Sequence, residues 1–196
     1  MPAPVLLVHG IWDTAKVMGP LKTGLLQRGL GPVHALDLVP RGGRASIAEL
    51  GKLVAVEANA LAAREGARRI DIVGFSMGAL VARWYVQRGG GKETVRRFVS
   101  ISGPHHGTLN AYALPLTAVR EMRPNSALLR ELASDPDPFG PVDVHCVYTP
   151  FDLMILPAKS SILAGARSVR AIRVAIHGLM IFDRRVQDHV AAVLRD

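Results

Sequence analysis

The pentapeptide Gly74-Phe75-Ser76-Met77-Gly78 sets a hydroxyl between two glycines, directly after the apolar run Ile70 to Phe75 and directly before a segment of helical period. That context turns a common Gly-x-Ser-x-Gly string into a nucleophile elbow. The strand-to-helix turn is so tight that a side chain two residues to either side of the serine would strike backbone, and the hydroxyl is left exposed at the end of a sheet. The chemistry open to such a residue is attack on an acyl carbon, with the amino end of the following helix beneath the developing negative charge. A serine hydroxyl is a poor nucleophile until a neighbouring base takes its proton, and that base needs an acid to fix its tautomer. Ser76 is therefore the expected nucleophile, and a histidine and a carboxylate should lie further along the chain.

Val8-His9-Gly10-Ile11-Trp12 closes the first apolar run, where folds with such an elbow place the other half of the oxyanion hole. The backbone N–H groups of Ile11 and Met77 are expected to hold the oxyanion, with Gly10 allowing close approach and His9 bracing the loop. The chain order that goes with the elbow is serine, then acid, then histidine. It leaves Asp152, in Thr149-Pro150-Phe151-Asp152 after an apolar run, as the acid, and His177, in Ala175-Ile176-His177-Gly178, as the general base. Asp143 falls at the opposite end of its strand, and Asp135 and Asp137 lie in the loop before it. His145 inside a strand and His189 inside the final amphipathic helix read as structural, and His105 and His106 as loop-bracing residues.

The elements that must position these groups follow from hydrophobic period. Short runs rich in Val and Ile alternate with longer helical segments, the pattern of a parallel sheet flanked by helices. The expected strands are 5–8, 33–38, 70–75, 97–101, 142–148 and 169–176, and the expected helices are 14–28, 47–65, 77–87, 119–132 and 184–194. Six prolines between Pro104 and Pro141 make 103–141 mostly loop around one helix. Within it, residues 109–140 are surplus to the sheet and its helices and would form a pocket wall or a small cap. Met122, Leu128, Leu129 and Leu132 would lie on the buried side of its helix, Arg120 to Leu132. With 196 residues, the chain reads as one domain spanning 1–196. The fold class is α/β, with a roughly six-stranded, mostly parallel sheet and helices on both faces.

Composition excludes several function classes. The net charge of +8 comes from arginines spread along the chain, with no basic tract or interleaved aromatics, so no nucleic-acid partner is expected. A mildly positive surface suits weak contact with anionic lipid. No apolar stretch reaches the roughly 20 residues that span a bilayer, and residues 1–10 lack a basic-then-apolar leader, which points to the cytoplasm. The single Cys146 rules out an internal disulfide and reads as a buried structural thiol. The histidines and acids show no ligand spacing, so neither metal nor other cofactor is expected.

The runs Val5 to Ile11, Ile70 to Gly78, Phe151 to Ile155 and His177 to Met180, in this order over most of the chain, resemble the small bacterial triacylglycerol lipases of minimal, lidless α/β-hydrolase fold. The stretch Gly103 to Thr108 is also similar to one in larger bacterial lipases. The resemblance sets Ser76, Asp152 and His177 on that family's triad and Ile11 and Met77 on its oxyanion amides. It implies a carboxylic-ester hydrolase acting on a small ester or lipid through an acyl-enzyme. Phe75 stands where many such lipases have histidine. Thioesterase and acyltransferase activities share the same intermediate and remain open, as does a non-catalytic binding protein of the same fold.

Overall fold

The computed structural model describes residues 3–195. Its centre is a sheet of six strands: β1 (Val5–Val8), β2 (Val33–Leu36), β3 (Ile70–Phe75), β4 (Val95–Ile101), β5 (Asp143–Tyr148) and β6 (Ser168–Ala171). They lie in the order β2-β1-β3-β4-β5-β6, and every pairing is parallel. The helices are α1 (Gly19–Gln27), α2 (Ile47–Arg64), α3 (Met77–Arg88), the single turn α4 (Gly91–Thr94), α5 (Thr117–Glu121), α6 (Ala127–Ala133) and α7 (Arg184–Arg195). None is long and apolar enough to cross a membrane.

Every residue of β1 and β3 is buried, which is why these strands read as unbroken apolar runs instead of alternating ones. Alternate side chains serve opposite layers. Leu6, Val8, Ile72 and Phe98 pack with Leu50, Val54 and Leu80 of α2 and α3. Val5, Leu7, Val73 and Val99 pack with Leu21, Leu25, Val186 and Val190 of α1 and α7.

The strand order places the chemistry. The chain leaves β1 toward β2 on one side and leaves β3 toward β4 on the other, so the connections diverge between β1 and β3. Open parallel sheets bind ligands at the carboxyl ends of strands at such a switch point. The register pairs Val8 with Gly74, setting the loop after β1 beside Ser76.

Four expected elements end differently, each for a local reason. The 33–38 strand stops at Leu36, because the Leu38 N–H donates to the His9 ring at 2.9 Å. The 14–28 helix is a 3-10 turn (Ala15–Met18) followed by α1, with Pro20 in the first turn, where a missing N–H costs nothing. The 119–132 helix divides into α5 and α6 around Pro124 and Asn125 (φ 59°), and Ser126 caps the second piece through the Leu129 N–H at 3.2 Å. Its four apolar residues are nonetheless buried.

The 169–176 strand is ordered as sheet only to Ala171. The alternation that suggested it persists, with Ile172 and Val174 buried and Arg173 exposed. Beyond Ile172, however, the Thr149 hydroxyl replaces the strand partner: it donates to Val174 O at 2.7 Å and accepts from Val174 N–H at 3.2 Å. This clasp ties the chain before His177 to the loop that carries Asp152.

Candidate active site

Ser76 sits at the turn from β3 into α3 with φ 56° and ψ −128°, a conformation L residues rarely adopt. Such strain costs about 1–3 kcal/mol and persists only where the surroundings impose it. Here the Ser76 N–H donates to Ile101 O at 2.9 Å, and the Ala79 N–H takes Ser76 O at 3.0 Å. A Cβ on Gly74 would strike Ala79, and one on Gly78 would strike the carbonyls of Val8 and His9. Both glycines are thus required by close approach, as the motif implied.

The loop after β1 closes against this elbow. A Cβ on Gly10 would lie 3.1 Å from that of Ser76. His9 is buried; its Nδ1 donates to Gly10 O at 2.7 Å while Nε2 accepts the Leu38 N–H, so it is a brace with no ring nitrogen left for chemistry. Neither the Ile11 N–H nor the Met77 N–H has a protein acceptor among the described residues. Two unclaimed donors therefore stand on either side of the serine in the sequence, one in the loop after β1 and one at the first residue of α3.

Asp152 and His177, 25 positions apart, meet with Oδ2 2.7 Å from Nδ1. Asp152 Oδ1 accepts the N–H groups of Met154 and Ile155, each at 2.9 Å. Burial pushes this carboxyl up, but the hydrogen bond to His177, its charge, and the two N–H groups outweigh burial and hold the carboxyl below its ordinary value. With Nδ1 donating to the carboxylate, Nε2 is the basic nitrogen. It is buried and has no protein partner. The Ser76 hydroxyl makes no hydrogen bond to it in this structure; a hydrogen bond between a nucleophile and its base often tightens only once substrate is bound.

Two contributors escape a reading of sequence alone. Phe75 lies against the His177 ring, centroids 4.9 Å apart and planes tilted by 31°. Asp13 places Oδ2 3.1 Å from the same Gly10 Cβ position that neighbours Ser76. Burial raises the Asp13 carboxyl, opposed by the charges of His9 and His177 and by the Gly10 N–H. Only the loop fold brings it here, and no motif marks it.

A carboxyl with a raised value penalises the folded state once it ionises, and the penalty is absent below the ordinary carboxylate range. Asp13→Asn is accordingly expected to raise Tm at neutral pH by about 1–2 °C, small because solvent screens this partly exposed group. The difference should vanish on acidification toward pH 3, measured by calorimetry across pH. A lower Tm at neutral pH would show that the carboxylate supports the fold.

The other candidates lie elsewhere. Asp143, at the start of β5, pairs with Arg167 at 2.9 Å, and Asp135 with Arg88 at 2.7 Å. His145 Nδ1 meets Ser168 Oγ at 2.7 Å, His105 Nε2 meets Ser100 Oγ at 2.7 Å, and His106 Nε2 donates to Ile162 O at 3.0 Å. Cys146 is buried in β5, its thiol pushed up to about 11 by burial. Among the described residues, no three His, Cys, Asp or Glu side chains converge as a metal-binding group.

Ser76 opens into an apolar cleft of about 310 Å³. One wall is Ile11 and Trp12, another is Ala111, Leu114, Val119 and Met122 from the 109–140 segment, and the third is Met154 and Ile155, whose N–H groups hold Asp152. The segment is anchored at several points. Ile47 N–H donates to Glu121 Oε2 at 2.6 Å, Ala118 N–H to Gly43 O at 3.0 Å, and Asn110 Nδ2 to Leu153 O at 2.6 Å. Trp12, Leu114 and Met154, which line the cleft, leave large apolar surfaces exposed.

Known proteins share this fold. The chain is 30% identical to a triacylglycerol lipase of Pseudomonas fragi over 117 residues, 59% of this chain, and spans 39% of that relative's length. Lipase B of Aspergillus fumigatus superposes with a TM-score of 0.85 at 18% identity, over 100% of this chain and 53% of its own. The mature lipase BlEst2 of Bacillus licheniformis does so with a TM-score of 0.81 at 14% identity, over 98% of this chain and 92% of its own. The fold is thus the α/β-hydrolase fold expected from the resemblance. Residues 4–136, which carry Ile11, Ser76 and Met77 but stop short of Asp152 and His177, match the palmitoyl protein thioesterase family, and to that family the chain belongs.

Proposed function

We propose that this chain is a serine-dependent carboxylic-ester hydrolase working through an acyl-enzyme. The observation that carries the reading is the 2.7 Å Asp152–His177 contact, which leaves a bare, buried Nε2 on a ring that packs against Phe75, the residue before the strained Ser76. Ser76 Oγ attacks the acyl carbon as His177 Nε2 takes its proton, and the carbonyl oxygen gains negative charge facing the N–H groups of Ile11 and Met77. Collapse breaks the carbon–oxygen bond of the ester, and the departing alkoxide takes the proton back from Nε2. Water then gives a proton to Nε2 and attacks the acyl carbon, and the acid leaves as Ser76 regains its hydrogen. Asp152 holds the tautomer and stabilises the transient imidazolium.

The apolar cleft supports a substrate with an aliphatic acyl part, and the exposed apolar rim with a net charge of +8 supports weak contact with an anionic lipid surface. A thioester reading on the same triad is favoured by one observation, the family match. A panel of p-nitrophenyl esters from acetate to palmitate, run beside a matched acyl-thioester, separates the two. Higher kcat/KM on esters supports the first reading. A preference for the thioester at equal acyl length would replace it with the second, and turnover of neither would leave a binding protein.

The 109–140 segment is read as a fixed pocket wall, because its anchors reach α2, the 43–47 loop and the loop of the acid. Rate against tributyrin concentration is therefore expected to follow a smooth hyperbola through the solubility limit. A sharp rise on reaching emulsion would show that the segment moves as a cap.

A further inference from the structure

A second pocket, of about 340 Å³, lies between α3, α6 and the 163–165 loop and shares no lining residue with the Ser76 cleft. Its walls are apolar, with Leu132, Phe139 and Leu163 each at most 6% exposed. Arg83, only 4% exposed, also lines it. That guanidinium has no carboxylate partner among the described residues. Its Nε donates to Gln87 Oε1 at 2.7 Å and its Nη1 to His105 O at 2.9 Å, both neutral acceptors, and Nη2 has no protein acceptor.

A buried charge without a counter-charge is costly, and the cost shows here as a guanidinium lowered by burial to about 10. The nearby Cys146 thiol is neutral at ordinary pH and supplies no counter-charge. Asp135 stands at the pocket's edge, but its Oδ2 is taken by Arg88 at 2.7 Å, with Gln87 at 3.4 Å and Lys92 at 3.6 Å.

We propose that this pocket binds an amphiphilic monocarboxylate, its headgroup on Arg83 and its aliphatic body against Leu132, Phe139 and Leu163. A planar guanidinium with unused donors matches a carboxylate. Arg83 is the one Arg or Lys in the lining, the His106 ring also found there spends its Nε2 on Ile162 O at 3.0 Å, and an acid stands at the rim, so a single negative charge is favoured over a phosphate dianion. The volume falls within the range of about 300–1,000 Å³ usual for small-molecule sites. Nothing in this assignment depends on Ser76 being a nucleophile.

The test is calorimetric titration of octanoate into the 196-residue chain carrying Ala113→Trp, a bulky substitution in the lining of the Ser76 cleft chosen to obstruct it so that the second pocket is measured separately. One octanoate per chain is expected. Adding Ala164→Trp at the exposed rim, or Arg83→Met, should weaken binding at least tenfold, as should replacing octanoate by octan-1-ol. Absence of octanoate binding, affinity unchanged by Ala164→Trp, or equal affinity for octan-1-ol would each overturn the proposal. If Arg83→Met fails to fold by circular dichroism, the rim variant and the alcohol still decide.

Discussion

Ser76→Ala is expected to remove ester hydrolysis, lowering kcat on the order of a millionfold, and to abolish labelling by a fluorophosphonate. The magnitude follows from position. In the proposed mechanism Ser76 supplies the attacking oxygen, so without it no covalent intermediate forms, however well the ester is held. Folding should survive. The hydroxyl makes no hydrogen bond among the described residues, and the backbone contacts that impose the turn, Ser76 N–H to Ile101 O and Ala79 N–H to Ser76 O, do not use the side chain. Stability within about 0.5 kcal/mol of the parent is expected for Ala, which keeps the strained φ. Ser76→Gly, which relieves it, should be inactive and the more stable of the two. Undiminished labelling of the alanine variant would place the nucleophile elsewhere.

Asp152→Asn and His177→Ala are each expected to lower kcat by about a thousandfold or more with KM little changed, since both act on the transition state. An amide at position 152 offers Nδ1 a weaker acceptor or an N–H, which favours the tautomer that turns a proton toward Ser76. Asp143→Asn and His189→Ala are the controls, because Asp143 is paired to Arg167 at the start of β5 and His189 lies in α7. Equal loss in either control with folding intact would mean that the acid or the base is misassigned.

The Asp152 pair also has a stability signature with a definite sign. Its folded-state carboxyl lies below the ordinary 3.8. The stability it contributes is therefore complete above that value and is lost as pH falls through the lowered one. Asp152→Asn should flatten the acid limb of Tm against pH in that range and leave the remaining carboxylates' contribution in place.

Much of this site is legible in the sequence because its geometry is enforced locally. Gly74, Ser76 and Gly78 sit at a turn where sterics alone choose the residues, between a strand whose burial on both faces makes it continuously apolar and a helix that starts at once. The boundaries of β1 and β3 can be read for the same reason. His9-Gly10-Ile11 is legible as the partner loop because it ends a strand of the same kind. Asp152 and His177 are legible by chain order as individual residues, although nothing in their spacing states that they touch.

What tertiary structure decides is where distant segments satisfy one another. The 169–176 run keeps strand alternation after its strand ends, because burial of Ile172 and Val174 sets the pattern while the Thr149 side chain supplies the hydrogen bonds. That exchange turns the chain so that His177 meets Asp152. The packing of Phe75 on His177, the approach of Asp13 to Gly10, and the burial of Arg83 without a carboxylate likewise depend on loops folding over the carboxyl ends of the strands and across α3. Periodicity records which face of an element is buried. It carries no record of which polar group on another element will meet it, because that is fixed only when the sheet and its helices have closed.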